Sequence, residues 1–242
     1  MPLSVGVLII GSLLWDSKNG RPTWRNTRLD MATAKEVTAP IRYGRRSRSR
    51  GNTYTMVFSR LCQVGHAKLV HCSHEISAIQ DLTAEAEFLW KAEQPDAKAD
   101  RIAANWGCVA LMCNPGRDIP EHLLSGWAER VGREPDYGNI SQTPEEGVLV
   151  SSGGLLQIGW PGIVDGGAPA DVDLLLVTAN DPEITTANPT YPSPTAIAVA
   201  WNRVGDCVQY FWRNTDNGIC TFEDDEIRKR LRPREGGAHD FR

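Results

Sequence analysis

Apolar positions along the chain follow two rhythms. Val5 to Ile10 is a continuous apolar, β-favouring run halted by Gly11, so Ser4 to Ile10 reads as a buried strand that ends in a turn. Lys35 to Tyr43 forms a second strand, which Pro40 confines to an edge or a bulge. Thr53 to Ser59 alternates β-branched and aromatic residues as a third strand, and Cys62 to Val70 is a fourth. From His74 to Glu93 the period changes: Ile76, Ile79, Leu82, Ala86, Leu89 and Trp90 share one helical face. A break with re-capping is expected at Asp81 or Thr83, and Pro95 ends the helix. Trp106 to Cys113 returns to a strand pattern, and Pro120 to Val131 is an amphipathic helix with proline in its first turn.

Punctuation and connections complete the outline. Asp16 to Asp30, with Gly20 and Pro22, reads as an irregular loop around Trp24. Leu149 to Trp160, Val172 to Val177, Ile197 to Trp201 and Val208 to Trp212 are strand-like windows separated by Gly/Pro-dense loops at 161–171 and 180–194. Glu223 to Leu231 is a short final helix, and Pro233 to Arg242 is expected to fray. Strands and helices do not alternate as in a doubly wound sheet. A mixed α/β fold of several strands with two or three helices is therefore expected, and 242 residues suit one sizeable core in a single domain.

Composition narrows the class of function. The net charge of -4 gives no global reason for nucleic acid or an acidic membrane as partner. No apolar run approaches the roughly 20 residues of a membrane span. The opening Met1-Pro2-Leu3-Ser4 lacks a basic region, and the apolar run behind it is too short for a signal sequence. The six cysteines contain no CxxC pair, so reduced thiols in a cytoplasmic protein are expected. His66, His71 and His74 gather near Cys72, but as a polar loop at a helix entry rather than with a zinc rhythm, and no metal is predicted.

Candidate chemistry begins at the turn after the first strand. Gly11-Ser12-Leu13 presents consecutive backbone N–H groups at a strand end, where they can cradle a carboxylate or a developing oxyanion. On its own such a turn is more often a plain connection. Arg42, Arg45, Arg46, Arg48 and Arg50 form a basic run that reads as a solvated loop or as an anion grip. Aromatic interleaving is limited to Tyr43 and Tyr54, which speaks against nucleic acid.

Three segments in order carry a resemblance. Gly11 to Asp16 resembles the YGSL(I/L)W(N/D) signature of the γ-glutamylcyclotransferases, most closely their ChaC-like branch, which acts on glutathione. Arg45-Arg46-Ser47-Arg48-Ser49-Arg50-Gly51-Asn52 is similar to that branch's arginine-rich segment, with shorter spacing. Phe88-Leu89-Trp90-Lys91-Ala92-Glu93 resembles the helix ending whose last residue is the family's catalytic glutamate. The likeness spans roughly residues 5–114; Ile10 stands where the signature has tyrosine, and 115–242 is an extension without counterpart.

The resemblance implies a mixed, largely antiparallel β-barrel with a few flanking helices. It also implies release of an amine and 5-oxoproline from a small-molecule γ-glutamyl substrate, without cofactor. Glu93 is then the acid–base residue, with Glu85 and Glu87 as competitors on the same helix. Ile10, Gly11, Ser12, Leu13 and Arg50 line the substrate site. The attack is intramolecular, so holding the substrate folded supplies much of the acceleration, and one partly buried carboxylate can move both protons. A non-catalytic binding module on the same fold, or an amide hydrolase of a related metabolite, are the alternatives.

Overall fold

The computed structural model describes residues 2–18, 20–137, 147–164, 166–182, 184 and 190–233. Its strands are β1 (Val5–Ile9), β2 (Leu29–Ala39), β3 (Ile41–Ser47), β4 (Thr53–Phe58), β5 (Gly65–Cys72), β6 (Ala103–Ala104), β7 (Gly107–Cys113), β8 (Gly162–Ile163) and β9 (Leu174–Asn180). The helices are α1 (Arg21–Arg28), α2 (Ile79–Glu93), α3 (Glu121–Gly132), α4 (Pro194–Val204), α5 (Gln209–Asp216) and α6 (Asp224–Arg228).

Seven strands form one sheet in the order β6-β7-β9-β1-β5-β2-β8, and β3 and β4 make a separate hairpin. Only the β1–β9 pairing is parallel. Both of those strands are central and covered on both faces, which explains their unbroken apolar runs. Helix α2 packs on β7 and β9, α3 packs on α2, and the hairpin lies against β9 and β5 with α4 behind β4. Trp90, Trp127, Trp201, Tyr43 and Phe58 fill the core. Because β9 is hydrogen-bonded between β7 and β1, residues 115–242 supply an interior strand, and both stretches of the chain build one sheet.

The sheet is open, with β6 and β8 at its edges; it does not close into the barrel that the resemblance implies. Several local expectations also change. Lys35 to Tyr43 is not one strand but two, because Pro40 has no N–H to continue the ladder and the chain passes from the large sheet into the hairpin there. Asp16 to Asp30 is not an irregular loop throughout, since α1 starts after Gly20 (φ 74°) with Pro22 in its first turn. Helix α2 runs unbroken through Thr83; Asp81 caps its start by accepting from the Ser77 and Ala78 amides, both at 2.9 Å.

Two strand-like windows are helices. Ser193 caps α4 through a 3.3 Å bond from the Ala196 amide, Pro194 opens it, and Ile197, Ala198 and Trp201 are buried on one side. Val208 to Trp212 lies across the start of α5, which buries Tyr210, Phe211 and Asn214. Short, largely apolar windows of five residues fit either period. Within Leu149 to Trp160 only isolated bridges form, Val150 with Leu156 and Leu155 with Leu111. None of the described helices is long and apolar enough to cross a membrane.

Candidate functional site

A cavity of about 500 Å³ opens beyond the end of β1, and the six residues that the resemblance assigns to the site line it: Ile10, Gly11, Ser12, Leu13, Arg50 and Glu93. After β1 the chain winds into a tight turn. The Leu14 amide bonds the Gly11 carbonyl at 3.2 Å, and the Trp15 and Asp16 amides bond that of Ser12 at 3.2 and 2.8 Å. The Ser12 and Leu13 N–H groups make no hydrogen bond among the described residues. They are donors without an acceptor among the described residues on the wall of a cavity, an arrangement that can receive an anionic oxygen.

Arg21, from the first turn of α1, ties the site together. Its Nη1 donates to Ser12 Oγ at 3.0 Å and to Asp16 Oδ2 at 2.7 Å, Nη2 meets Glu93 Oε2 at 3.3 Å, and Nε caps the end of α2 at the Ala92 carbonyl at 3.1 Å. One nearly buried guanidinium thus fixes the glutamate that ends α2 relative to the turn that ends β1. Arg50 arrives from the short turn between β3 and β4 and donates from Nη2 to the same Ser12 Oγ at 2.8 Å, with Asp16 3.6 Å away. Arg25 holds the far side of the turn through the Leu13 and Asp16 carbonyls at 2.7 and 3.0 Å.

The two competing glutamates lie elsewhere. Glu85 is buried in an ion pair with Arg28, with His74 3.8 Å away. Glu87 faces Arg130 at 3.4 Å on the side toward α3. Of the three glutamates on α2, only Glu93 lines the cavity. The histidines are dispersed among carboxylates, His66 on Glu36 at 2.8 Å and His71 near Asp171 at 3.3 Å. Among the described residues no three His, Cys, Asp or Glu side chains come together as a metal site.

Two further residues of the wall escaped the sequence. Arg21 belongs to the stretch read as loop, although Gly20-Arg21-Pro22 is a recognisable helix start. Tyr210 comes from α5, almost two hundred residues beyond the turn it touches, and no local signal announces it. Its hydroxyl accepts from the Met56 amide at 3.4 Å, its ring lies under the Arg50 guanidinium at 4.9 Å, and a Cβ added to Gly11 would stand 2.7 Å from its oxygen. Glycine at 11 is therefore required by close approach. Burial raises the Tyr210 pKa against the opposing pull of the Arg50 cation, so the phenol keeps its proton and can donate it in a hydrogen bond. Tyr210 thus brings a hydroxyl to the turn where Ile10 has none.

The remaining wall is basic and aromatic. Arg45 lies 4.5 Å over the ring of Trp106, which stacks on Trp90 at 5.0 Å, and Arg46 and Arg48 stand at the exposed rim. Comparison with protein-family models, with curated proteins and with solved structures finds no match.

Proposed function

We propose that the chain is an intramolecular aminoacyl transferase of the γ-glutamylcyclotransferase kind, converting a γ-glutamyl amine or peptide into 5-oxoproline and a free amine. The observation that carries this reading is the meeting of Glu93 with the Ser12 and Leu13 amides in one cavity, bridged by the single side chain of Arg21. In this reading the open sheet with its β3–β4 hairpin is a variant of that family's barrel. A cytoplasmic setting suits the free thiols of Cys72, Cys108, Cys113 and Cys220.

The substrate's α-carboxylate lies on Arg50, whose remaining N–H groups fit a carboxylate edge. Glu93 removes a proton from the α-ammonium, and the freed amine attacks the γ-carbonyl carbon. Negative charge gathers on the carbonyl oxygen, where the Ser12 and Leu13 N–H groups and the Tyr210 hydroxyl donate to it. Glu93 then passes that proton to the departing nitrogen as its bond to carbon breaks, and the second proton, shed by the attacking nitrogen as it becomes the lactam N–H, leaves on the freed amine as its ammonium. One C–N bond forms and one is lost, no water is consumed, and the balance calls for no cofactor. Folding the glutamyl chain against Ile10 and the turn supplies the orientation on which a five-membered ring closure depends.

A second reading draws on the Arg21–Glu93 pair: a carboxylate already engaged by a cation suits a pocket that holds a γ-glutamyl ligand without turning it over. A 5-oxoproline release assay on glutathione, γ-glutamyl dipeptides and γ-glutamyl amines separates the two. Product from any member supports the transferase. Saturable binding without product supports the binding module.

A further inference from the structure

Five arginines line the cavity: Arg21, Arg45, Arg46, Arg48 and Arg50. Three carboxylates answer them, Glu93 and Asp181 on the wall and Asp16 behind it, so the site keeps an excess of two positive charges in a chain whose net charge is -4. The excess is not spread evenly. Arg21 and Arg50 have Asp16 and Glu93 at the inner end. At the outer end Arg46 is held by aromatic contact, with its guanidinium 4.7 Å over the Tyr54 ring and Nη2 donating to the Tyr54 hydroxyl at 2.7 Å. Arg48 has no carboxylate partner among the described residues. Arg28, Arg101, Arg117 and Arg130 each contact an acid, while Arg213 lies over the ring of Trp15.

A ring or a phenol fixes a guanidinium without cancelling its charge, and Arg46, exposed at the rim, engages only Nη2 in a hydrogen bond among the described residues. Nothing in folding requires like charges to crowd at one rim, and their mutual repulsion costs stability unless a ligand relieves it. Ser49, whose hydroxyl lies 3.1 Å from that of Ser47, adds a hydroxyl to the same wall. A phosphomonoester or a pair of carboxylates matches both the charge of about two and the donors.

Resting on the transferase reading above, we propose that the leaving amine carries a dianionic tail, gripped at the rim by Arg46 and Arg48, while the γ-glutamyl head occupies the inner end. The site is thereby divided into a reaction chamber at the Gly11–Leu13 turn and an anion arm on the β3–β4 turn. The arm selects among γ-glutamyl compounds by the charge on the far side of the scissile bond. Both ends face one cavity, so a single small molecule spans them.

Four substrates test the arm: γ-glutamyl-alaninamide, γ-glutamyl-alanine, γ-glutamyl-aspartate and γ-glutamyl-phosphoserine, whose tails carry none, one, two and about three negative charges. For wild type, kcat/KM for 5-oxoproline release is expected to rise at least about tenfold from the amide to the aspartate at low salt. In the R46Q/R48Q double variant that ratio is expected to fall close to one; both side chains are exposed, so an unchanged melting curve is expected alongside. The aspartate and phosphoserine arms tell a carboxylate pair from a phosphate. A wild-type ratio near one, or a ratio untouched in the double variant, overturns the arm. If no substrate yields product, the transferase reading fails by itself. The arm is then judged by calorimetry with inorganic pyrophosphate: binding by wild type and not by R46Q/R48Q upholds it, and equal binding or none overturns it.

Discussion

A Cβ on residue 11 would meet the Tyr210 hydroxyl oxygen at 2.7 Å, whereas the next ring atom stands at 3.7 Å, an ordinary contact. The clash in Gly11→Ala is therefore owed to one oxygen. Overpacking of this kind costs roughly 1–3 kcal/mol. Urea denaturation should show that loss in Gly11→Ala and recover much of it in the Gly11→Ala/Tyr210→Phe double variant, although Tyr210→Phe alone is not stabilising. Additive losses would mean that the two residues do not meet as described. At this scale the sequence was legible where chemistry is local. Gly11, Ser12 and Leu13 follow an obvious strand end, and Glu93 ends an obvious helix. Tyr210 was not legible, because its role comes from a tertiary approach between the end of β1 and α5 that no window of residues contains.

Helix α2 carries acids with separate duties. Glu85 is buried against Arg28 in the fold, while Glu93 at the last turn enters the cavity. Replacing Glu85 by Gln keeps the shape and removes a charge-assisted bond, which costs roughly 1.5–3 kcal/mol. The expected outcome is a lower denaturation midpoint with 5-oxoproline turnover per folded molecule unchanged. A large fall in turnover would move the reaction centre toward Glu85. The existence and the end of α2 are readable because fifteen residues sustain one period, but the pattern from His74 overruns its start at Ile79, where Asp81 caps the first turn instead of marking a break. Helices α4 and α5 are not readable, because Ile197 to Trp201 and Val208 to Trp212 are too short to distinguish a buried helix from a strand. The decisive marks, Ser193-Pro194 before α4 and the spacing of Tyr210 with Asn214 along α5, lie at or beyond the edges of those windows. The split at Pro40 shows the same limit: the proline was visible, but whether the chain bulges or changes sheet depends on which strands accept it.

Across the whole molecule, the parallel β1–β9 pair joins residues about 170 apart and makes the sheet a product of both halves of the chain. Its last helix contributes a titration to global stability. Burial lifts the Asp224 carboxyl to about 6, against bonds from Thr221 that favour the charged form, and Glu223 beside it is raised in the same sense, with Arg42 opposing. The folded state therefore favours the protonated Asp224. Its contribution is full below the unfolded value near 4 and is lost as pH rises through 6, on the order of 3 kcal/mol at most. Chemical denaturation between pH 4 and 7 should show wild type losing stability relative to Asp224→Asn across that window; parallel curves would contradict the assignment. The account as a whole turns on Glu93 acting at the Gly11–Leu13 turn. The most direct measurement compares wild type and Glu93→Gln for both γ-glutamyl ligand binding and 5-oxoproline release. Binding retained within a few-fold, with release reduced by about 10²-fold or more, is the predicted result. Release undiminished in Glu93→Gln would contradict it.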